Sequence, residues 1–476
     1  MKRIVMLPIG AMAMFALSVT TMADSTATTQ SNQLSAQIKQ TKKVKHKKTH
    51  SKIQATQNKQ PWLHYVTVTT TPFLGKQAAF DGSDLLYNVS SVNEDLLLLQ
   101  RKQKVTQQLS EQGYALKRPV LQISGSVAGQ AYSAGGFGTS ATDGISLSTA
   151  ELDLNAMASS WANAFMSLDY NGSPISSGNR APNSSIYLSR GFLTFGNLDQ
   201  YPVYFTIGKL YVPFGRYDNN MVTTPLTVSM AKILSPATVL GFSMNNGLFG
   251  SVYGFSGSQT SGASSVIKQG GVNLGLKRTF AGKKGDYSFG GGWVSNLADS
   301  QGQQDTGLPT TTGQFGGFAV PQPGTNMTSN NLVHRVDAMD VYGHVGYDSV
   351  SLIGECINSL RRYALADMTY KGAGAEPKAM HAEMDYMLPW FAKKYSSLVG
   401  ASYGRTWEAL ALNLPRDSYA VFASTSLWRE TSESIEYRHD TDYSTADVAT
   451  GRAATANIVG TGRGRNSVTL QLGVYF

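Results

Sequence analysis

The sequence holds one cysteine, Cys356, and has no second long apolar run after its N-terminus. A single thiol excludes an internal disulfide framework and the stapled class of small secreted domain. Cys356 itself reads as a small apolar residue on a strand. Without another apolar stretch of about 20 residues no helix spans a bilayer, so any membrane crossing falls to strands. Catalytic signatures are missing too: no G-x-S-x-G elbow, Walker loop or paired-cysteine motif occurs. The set His381-x-Glu383-x-Asp385 puts a histidine and two acids on one face of a strand, which a metal site or hydrolase could use. Alternation alone predicts a polar row there, and the row is read as lining. The chain is read as a non-enzyme with no cofactor and no metal.

Charge of one sign is also lacking once the chain is divided. The formal charge is +9, yet residues 1–23 carry Lys2 and Arg3 without an acid, and residues 24–60 carry eight Lys against Asp24 alone. The remaining chain is neutral, so a nucleic-acid partner is not expected.

Residues 1–23 have the form of a secretory signal: Lys2 and Arg3, an apolar run from Ile4 to Leu17, and Thr21-Met22-Ala23 as a small-x-small cleavage site. Residues 24–60 are rich in Ser, Thr, Gln and Lys, too poor in apolar surface to offset chain entropy, and are expected to be a disordered Lys-rich tail. Its Lys42-Lys43-Val44-Lys45-His46-Lys47-Lys48 stretch could meet an anionic polymer or lipid headgroups.

Residues 61–117 are expected to form a periplasmic helical segment. Ser91-Val92-Asn93-Glu94 has the capping-box pattern, and Asp95 to Gln112 run without Gly or Pro until Gly113. Leu85, Val89, Val92, Leu96 and Leu99 alternate at spacings of four and three, as a short coiled-coil seam would. Two readings stand: a homo-oligomer joined through residues 85–99, or a single helix packed under the rest of the protein.

From residue 118 to 476 the period becomes two. Leu152 and Leu154 alternate with Glu151, Asp153 and Asn155; Ala162, Ala164, Met166 and Leu168 alternate with Asn163, Ser167 and Asp169. The pattern returns in Val272/Leu274/Leu276, Met339/Val341/Val345, Met380/Ala382/Met384 and Tyr419/Val421/Ala423/Leu427. Successive strand side chains point to opposite faces, and segments of about ten residues patterned this way are the mark of a transmembrane antiparallel β-barrel. About sixteen strands are expected, with alternation weaker at 186–255 and 348–372. Connections alternate in length, with Met157–Ser160 short and Asn171–Ser184, Leu297–Val333 and Ala446–Asn466 long. Trp161, Trp293, Trp390, Trp407 and Trp428 fall near strand ends, as aromatic girdles do.

A soluble sandwich or propeller also alternates. The C-terminus argues against it. Val468, Leu470, Leu472, Val474 and Phe476 share one face, and this resembles the closing strand by which outer-membrane barrels are recognised by the assembly machinery. Pairing of that strand with the first, near 120–131, would leave no open edge in the outer-membrane lipid.

Parity places Glu151, Asp153, Asp169, Arg190, Asp340, Glu383, Asp385, Glu436 and Arg438 inside the barrel as pore-lining candidates. Arg190 and Arg438, with Arg216, Arg335 and Arg405 close by, are the candidate contacts for an anion. Two segments are candidates for restricting the pore: Tyr211–Tyr217 onward to Pro236, and the uncharged stretch from Thr306 to His334.

The stretch Phe80-Asp81-Gly82-Ser83-Asp84-Leu85-Leu86-Tyr87-Asn88-Val89-Ser90-Ser91-Val92-Asn93-Glu94-Asp95 is similar to the N-terminal region of the LbtU-type siderophore porins, the legiobactin-receptor family. So are the strand pair Ala150–Tyr170 and Phe192-Leu193-Thr194-Phe195-Gly196-Asn197-Leu198 leading to Tyr204–Gly215. The resemblance implies a plug-less outer-membrane barrel that takes up an iron-loaded, polycarboxylate-type siderophore. It supplies no binding residues, and the Lys-rich tail departs from it. A general or anion-preferring diffusion porin is the alternative, with an outer-membrane enzyme or adhesin a distant third.

Overall fold

The computed structural model describes residues 67–70, 92–111, 119–171, 185–257, 259–260, 269–280, 285–308, 312–320, 331–388, 397–428 and 431–475. The signal-like segment, the Lys-rich tail, Leu85, Val89, Ser91, Trp390 and Phe476 lie outside them. Among the described residues no helix is long and apolar enough to cross a membrane.

The period-two segments form sixteen strands. They are β1 (Val120–Ala134), β2 (Thr142–Met157), β3 (Ala162–Asn171), β4 (Ser185–Gly196), β5 (Val203–Tyr211), β6 (Leu234–Ser243), β7 (Leu248–Phe255) and β8 (Gln269–Phe280). The second half comprises β9 (Gly285–Val294), β10 (Ala338–Tyr347), β11 (Val350–Ser359), β12 (Lys378–Met387), β13 (Ser397–Trp407), β14 (Asp417–Thr425), β15 (Thr431–Thr441) and β16 (Gly464–Tyr475). Each pairs antiparallel with the next, and β16 returns to β1 with Tyr475 opposite Ser126 and Ser467 opposite Ala134. Closure removes every edge of the sheet. The expected barrel and strand number are both found. Outside the expected set, Thr67–Thr70 pairs in parallel with Val120–Ile123.

The two faces are inverted relative to a soluble protein. Leu193, Phe205, Val272, Leu274, Leu470 and Leu472 are exposed on the outside, Leu472 by 66%. Their inward neighbours Thr194, Thr206, Asn273 and Thr469 are buried. An apolar exterior with a polar interior is the arrangement hydrocarbon demands. Bulges interrupt the ladder opposite Ala128/Gly129 and at Ser167/Leu168. The second displaces Ser189 from the register, which explains the weak alternation around residue 186.

Antiparallel closure sends the connections 158–161, 197–202, 244–247, 348–349 and 426–428 to one end of the barrel, and 212–233, 360–377, 408–416 and 442–463 to the other. Trp161, with its ring tilted against Tyr201 at 5.8 Å, and Trp428 stand at the short-turn end. Trp293, Trp407 and the Tyr403–Tyr419 pair, 5.0 Å apart, stand at the other.

The helix α1 (Glu94–Glu111) docks on its own barrel. Val92, Leu96, Leu98 and Leu99 are buried in one cluster with the inward rings of Phe165, Phe192 and Tyr204. Lys102 Nζ donates to Ser160 O at 2.8 Å, Gly196 O at 3.3 Å and Asn163 Oδ1 at 3.4 Å. Of the expected seam, Val92, Leu96 and Leu99 are covered by the strands of the same chain, and Leu85 and Val89 lie outside the described residues. The Glu94 carboxylate faces Arg190, with Nη1 3.4 Å from Oε1; the capping box expected with Ser91 lies partly outside the described residues.

Candidate functional site in the barrel lumen

The connection 212–233 folds inward from β5 and crosses to the far wall before returning to β6. Gly215, at φ 77°, and Tyr217, at φ 58°, turn it across; the former conformation suits glycine. Backbone N–H groups in such a crossing need acceptors, since a buried orphan is costly. The wall supplies carboxylates. Glu355 Oε1 on β11 accepts from Arg216 N at 2.6 Å and Tyr217 N at 3.1 Å. Glu383 Oε1 on β12 accepts from Asn220 N at 2.7 Å, and Asp385 Oδ2 accepts from Asn220 Nδ2 at 2.9 Å. Glu436 on β15 accepts from Val222 N at 2.6 Å, Thr223 N at 3.0 Å and the Thr223 hydroxyl. Arg438 Nη1 closes the row by donating to Thr223 Oγ1 and Thr224 O, both at 3.1 Å. Three wall strands therefore hold one segment by its main chain.

A short helix, α2 (Leu226–Ala231), follows. Pro225 stands at its N-cap in an extended conformation, φ −60° and ψ 153°. It packs against β11, β12 and β13. The residues after β9 settle on it: Ser300 Oγ donates to Met230 O at 2.6 Å, and Gln301 N donates to Lys232 O at 2.9 Å. Beyond them Phe315, Phe318, Tyr363, Met368, Leu410, Tyr443 and Ile458 share an apolar core drawn from four long connections. Part of the second candidate segment, Thr306 to His334, is thereby placed in a folded cap, with Phe315 and Phe318 in edge contact at 5.1 Å.

The parity argument places nine charged side chains inward, and all nine lie on that face. Their tasks differ from simple lining. Glu383, Asp385 and Glu436 anchor the crossing segment, and Asp340 is buried on β10. His381 Nε2 lies 3.2 Å from Glu383 Oε2 in the same row. Glu151 and Asp153 flank Arg190, whose Nη2 meets Glu151 and lies 3.6 Å from Asp153; Asp169 is linked to it only through Ser167, whose Oγ lies 2.9 Å from Arg190 Nη2 and donates to Asp169 at 2.8 Å.

Arg190 is corrected as an anion contact. Its side chain is 4% exposed, and it ties α1 to β2. Arg216 pairs with Asp218 at 2.9 Å within the crossing segment. Arg405 is corrected too: it lies on the outward face of β13, with its guanidinium 5.3 Å from the Trp407 ring and 3.4 Å from Asp417. Arg335 precedes β10 and is half-buried. Of the five, Arg438 is the wall residue that contacts the crossing segment, through Thr223 and Thr224.

Sequence reasoning missed Glu355, whose strand has weak alternation, and the pair Asp440 and Arg465. Counting parity back from Val468 and Leu470 would have placed Arg465 inward. Arg465 Nε donates to Asp440 Oδ2 at 2.9 Å, and Arg438 Nε donates to Asp440 Oδ1 at 2.8 Å.

Over 419 residues the chain is 39% identical to a UPF0422 protein of Legionella pneumophila strain Lens, covering 86% of this chain and 76% of the relative. A UPF0422 protein of Coxiella burnetii is 33% identical over 419 residues, covering 87% and 84%. The chain belongs to the UPF0422 family. No family model matches it. Among solved structures this UPF0422 barrel is similar to an anion-selective porin from Comamonas acidovorans, with 10% identity, 75% of this chain and 100% of that chain covered, and a TM-score of 0.49. It is also similar to the outer-membrane channel DcaP of Acinetobacter baumannii, with 12% identity, coverage of 75% and 97%, and a TM-score of 0.44. The UPF0422 lumen has two unlike sides. Inward acids on β10–β12 are covered by the crossing segment, whereas Gln130, Tyr132, Glu151, Asp169, Arg465, Ser467 and Gln471 keep partial exposure.

Proposed function

We propose that this UPF0422 chain is an outer-membrane channel whose water path is narrowed by the crossing segment and runs along β15, β16 and β1–β3. The observation that carries this reading is the closed barrel with an apolar outside, a polar inside and an inward segment moored to wall carboxylates. A lining of Gln, Ser and Tyr hydroxyl groups with partial exposure supports passage of a hydrated solute.

The cargo proposed is an iron-loaded siderophore of polycarboxylate type. Its support is the resemblance carried by Phe80–Asp95, Ala150–Tyr170 and Phe192–Gly215, together with the inward guanidiniums of Arg438 and Arg465. Purified protein in a planar bilayer should conduct ions. Iron-starved cells lacking it should lose uptake of a ferric polycarboxylate siderophore while still growing on small sugars. Conductance without any siderophore phenotype would replace the cargo reading by a general or anion-preferring porin; absence of conductance would end the channel reading.

A further inference from the structure

We infer that Arg438, Arg465 and Asp440 form an anion subsite at the entrance to the constriction, taking a small di- or tricarboxylate. The inference deepens the channel reading and rests on it for the direction of approach. Asp440 is bracketed: Arg438 reaches one oxygen and Arg465 the other, as the distances above record. Two guanidiniums on one carboxylate leave a net positive charge. Arg463 adds another just outside β16, where it is exposed. Two further acids lie close by and are already engaged: Glu436 accepts from Val222 N, Thr223 N and the Thr223 hydroxyl that Arg438 also reaches, and Asp442 is buried and accepts from Thr461 N at 2.8 Å and Thr461 Oγ1 at 2.7 Å.

Both arginines are fixed rather than trailing. Arg438 is clamped on the crossing segment through Thr223 and Thr224, and Arg465 lies over the Phe137 ring at 4.4 Å. Arg438 Nη2 and Arg465 Nη1 carry no hydrogen bond among the described residues. The side chains are 12% and 38% exposed, so the pair is reachable from the lumen while its orientation is set. A fixed guanidinium fork matches a planar carboxylate better than a lysine does. Two forks on neighbouring strands fit an anion with two or more carboxylates; a monovalent ion engages one of them.

The test is calorimetric titration of the detergent-solubilised full-length protein with citrate, phosphate and chloride. Wild type should bind citrate ahead of phosphate, with chloride weakest. Arg465→Gln removes one charged contact and should weaken citrate by about tenfold or more, and Arg465→Lys should recover only part of it. Asp440→Asn should instead tighten citrate, because the competing carboxylate is gone. Heat-modifiable mobility identifies folded protein for each variant, and the Asp440→Asn result decides the matter should Arg465→Gln not fold. Citrate binding equal in wild type, Arg465→Lys and Asp440→Asn would overturn the subsite, and phosphate binding ahead of citrate would overturn its carboxylate preference. Citrate binding without bilayer conductance would keep the subsite and end the channel reading; conductance without citrate binding would do the reverse.

Discussion

Replacing Glu436 by alanine removes the acceptor for two backbone amides and one hydroxyl of the crossing segment. Hydrogen bonds to a charged group contribute about 1.5–3 kcal/mol each. Three would sum to roughly 4–9 kcal/mol, but the released N–H groups can meet lumenal water, so about 2–4 kcal/mol is the net loss of mooring. That corresponds to roughly a 30- to 1,000-fold rise in the population with the segment detached at this point. The wall itself should survive, because Glu436 stays paired in the ladder with Phe422 and Thr469. Single-channel recording of Glu436→Ala should therefore show larger conductance steps and faster gating noise than wild type, in protein whose heat-modifiable mobility is normal. Conductance and noise both unchanged in folded Glu436→Ala would refute the mooring argument.

Arg190→Gln should act on stability rather than on selectivity. It strips the cation from Glu94, Glu151 and Asp153, a buried break that costs about 3–5 kcal/mol, and limited proteolysis should cut within α1 while anion preference is unchanged. Leu470→Arg, on the lipid face, should lower barrel stability in urea by about 2–4 kcal/mol; Gln471→Arg, one residue on and inward, should cost far less, and equal effects would mean the register is wrong. Over the barrel, burial alone would raise the Asp447 carboxyl, but bonds from Lys371 Nζ and Ser444 N hold it below its ordinary 3.8. A depressed folded value gives stability above the unfolded value that is lost as pH falls through the folded one. Hydrogen exchange at Thr369 and Tyr370, which pair with the Val448–Gly451 strand, should accordingly speed up below about pH 4, the ordinary aspartate range, and Asp447→Asn should abolish that acid-side change.

The barrel was legible because its period is local. Parity around Leu152, Met166, Val272 and Leu470 depends only on neighbours, so it assigns faces without knowledge of distant partners. It lapses where a bulge adds a residue, as at Ser189, or where glycines replace the outward apolar residue, as along β9. What fills the lumen is not local. Asn220 meets Glu383 and Asp385 across 163 and 165 positions of sequence, and nothing in either stretch names the other. The same distance hid the environment of Arg190, whose inward direction is readable while its three acidic neighbours, one of them on a helix, are not. The leucines of α1 carry helical spacing whether they meet a second copy or a barrel wall, so spacing alone could not foretell that Leu96 and Leu99 pack against Phe165, Phe192 and Tyr204.

The crossing segment is gripped by its amides, and a grip on amides is indifferent to most side chains. Glu355, Glu383 and Glu436 would hold nearly any sequence that can follow the same path, with Gly215 and the Asn220 and Thr223 side-chain contacts as the more demanding positions. The residues between them, such as Met221 and Val222, can therefore change without loosening the attachment. In descent from a common ancestor the lining can drift toward new solutes while the frame stays put, so cargo should diverge faster than architecture among barrels built this way.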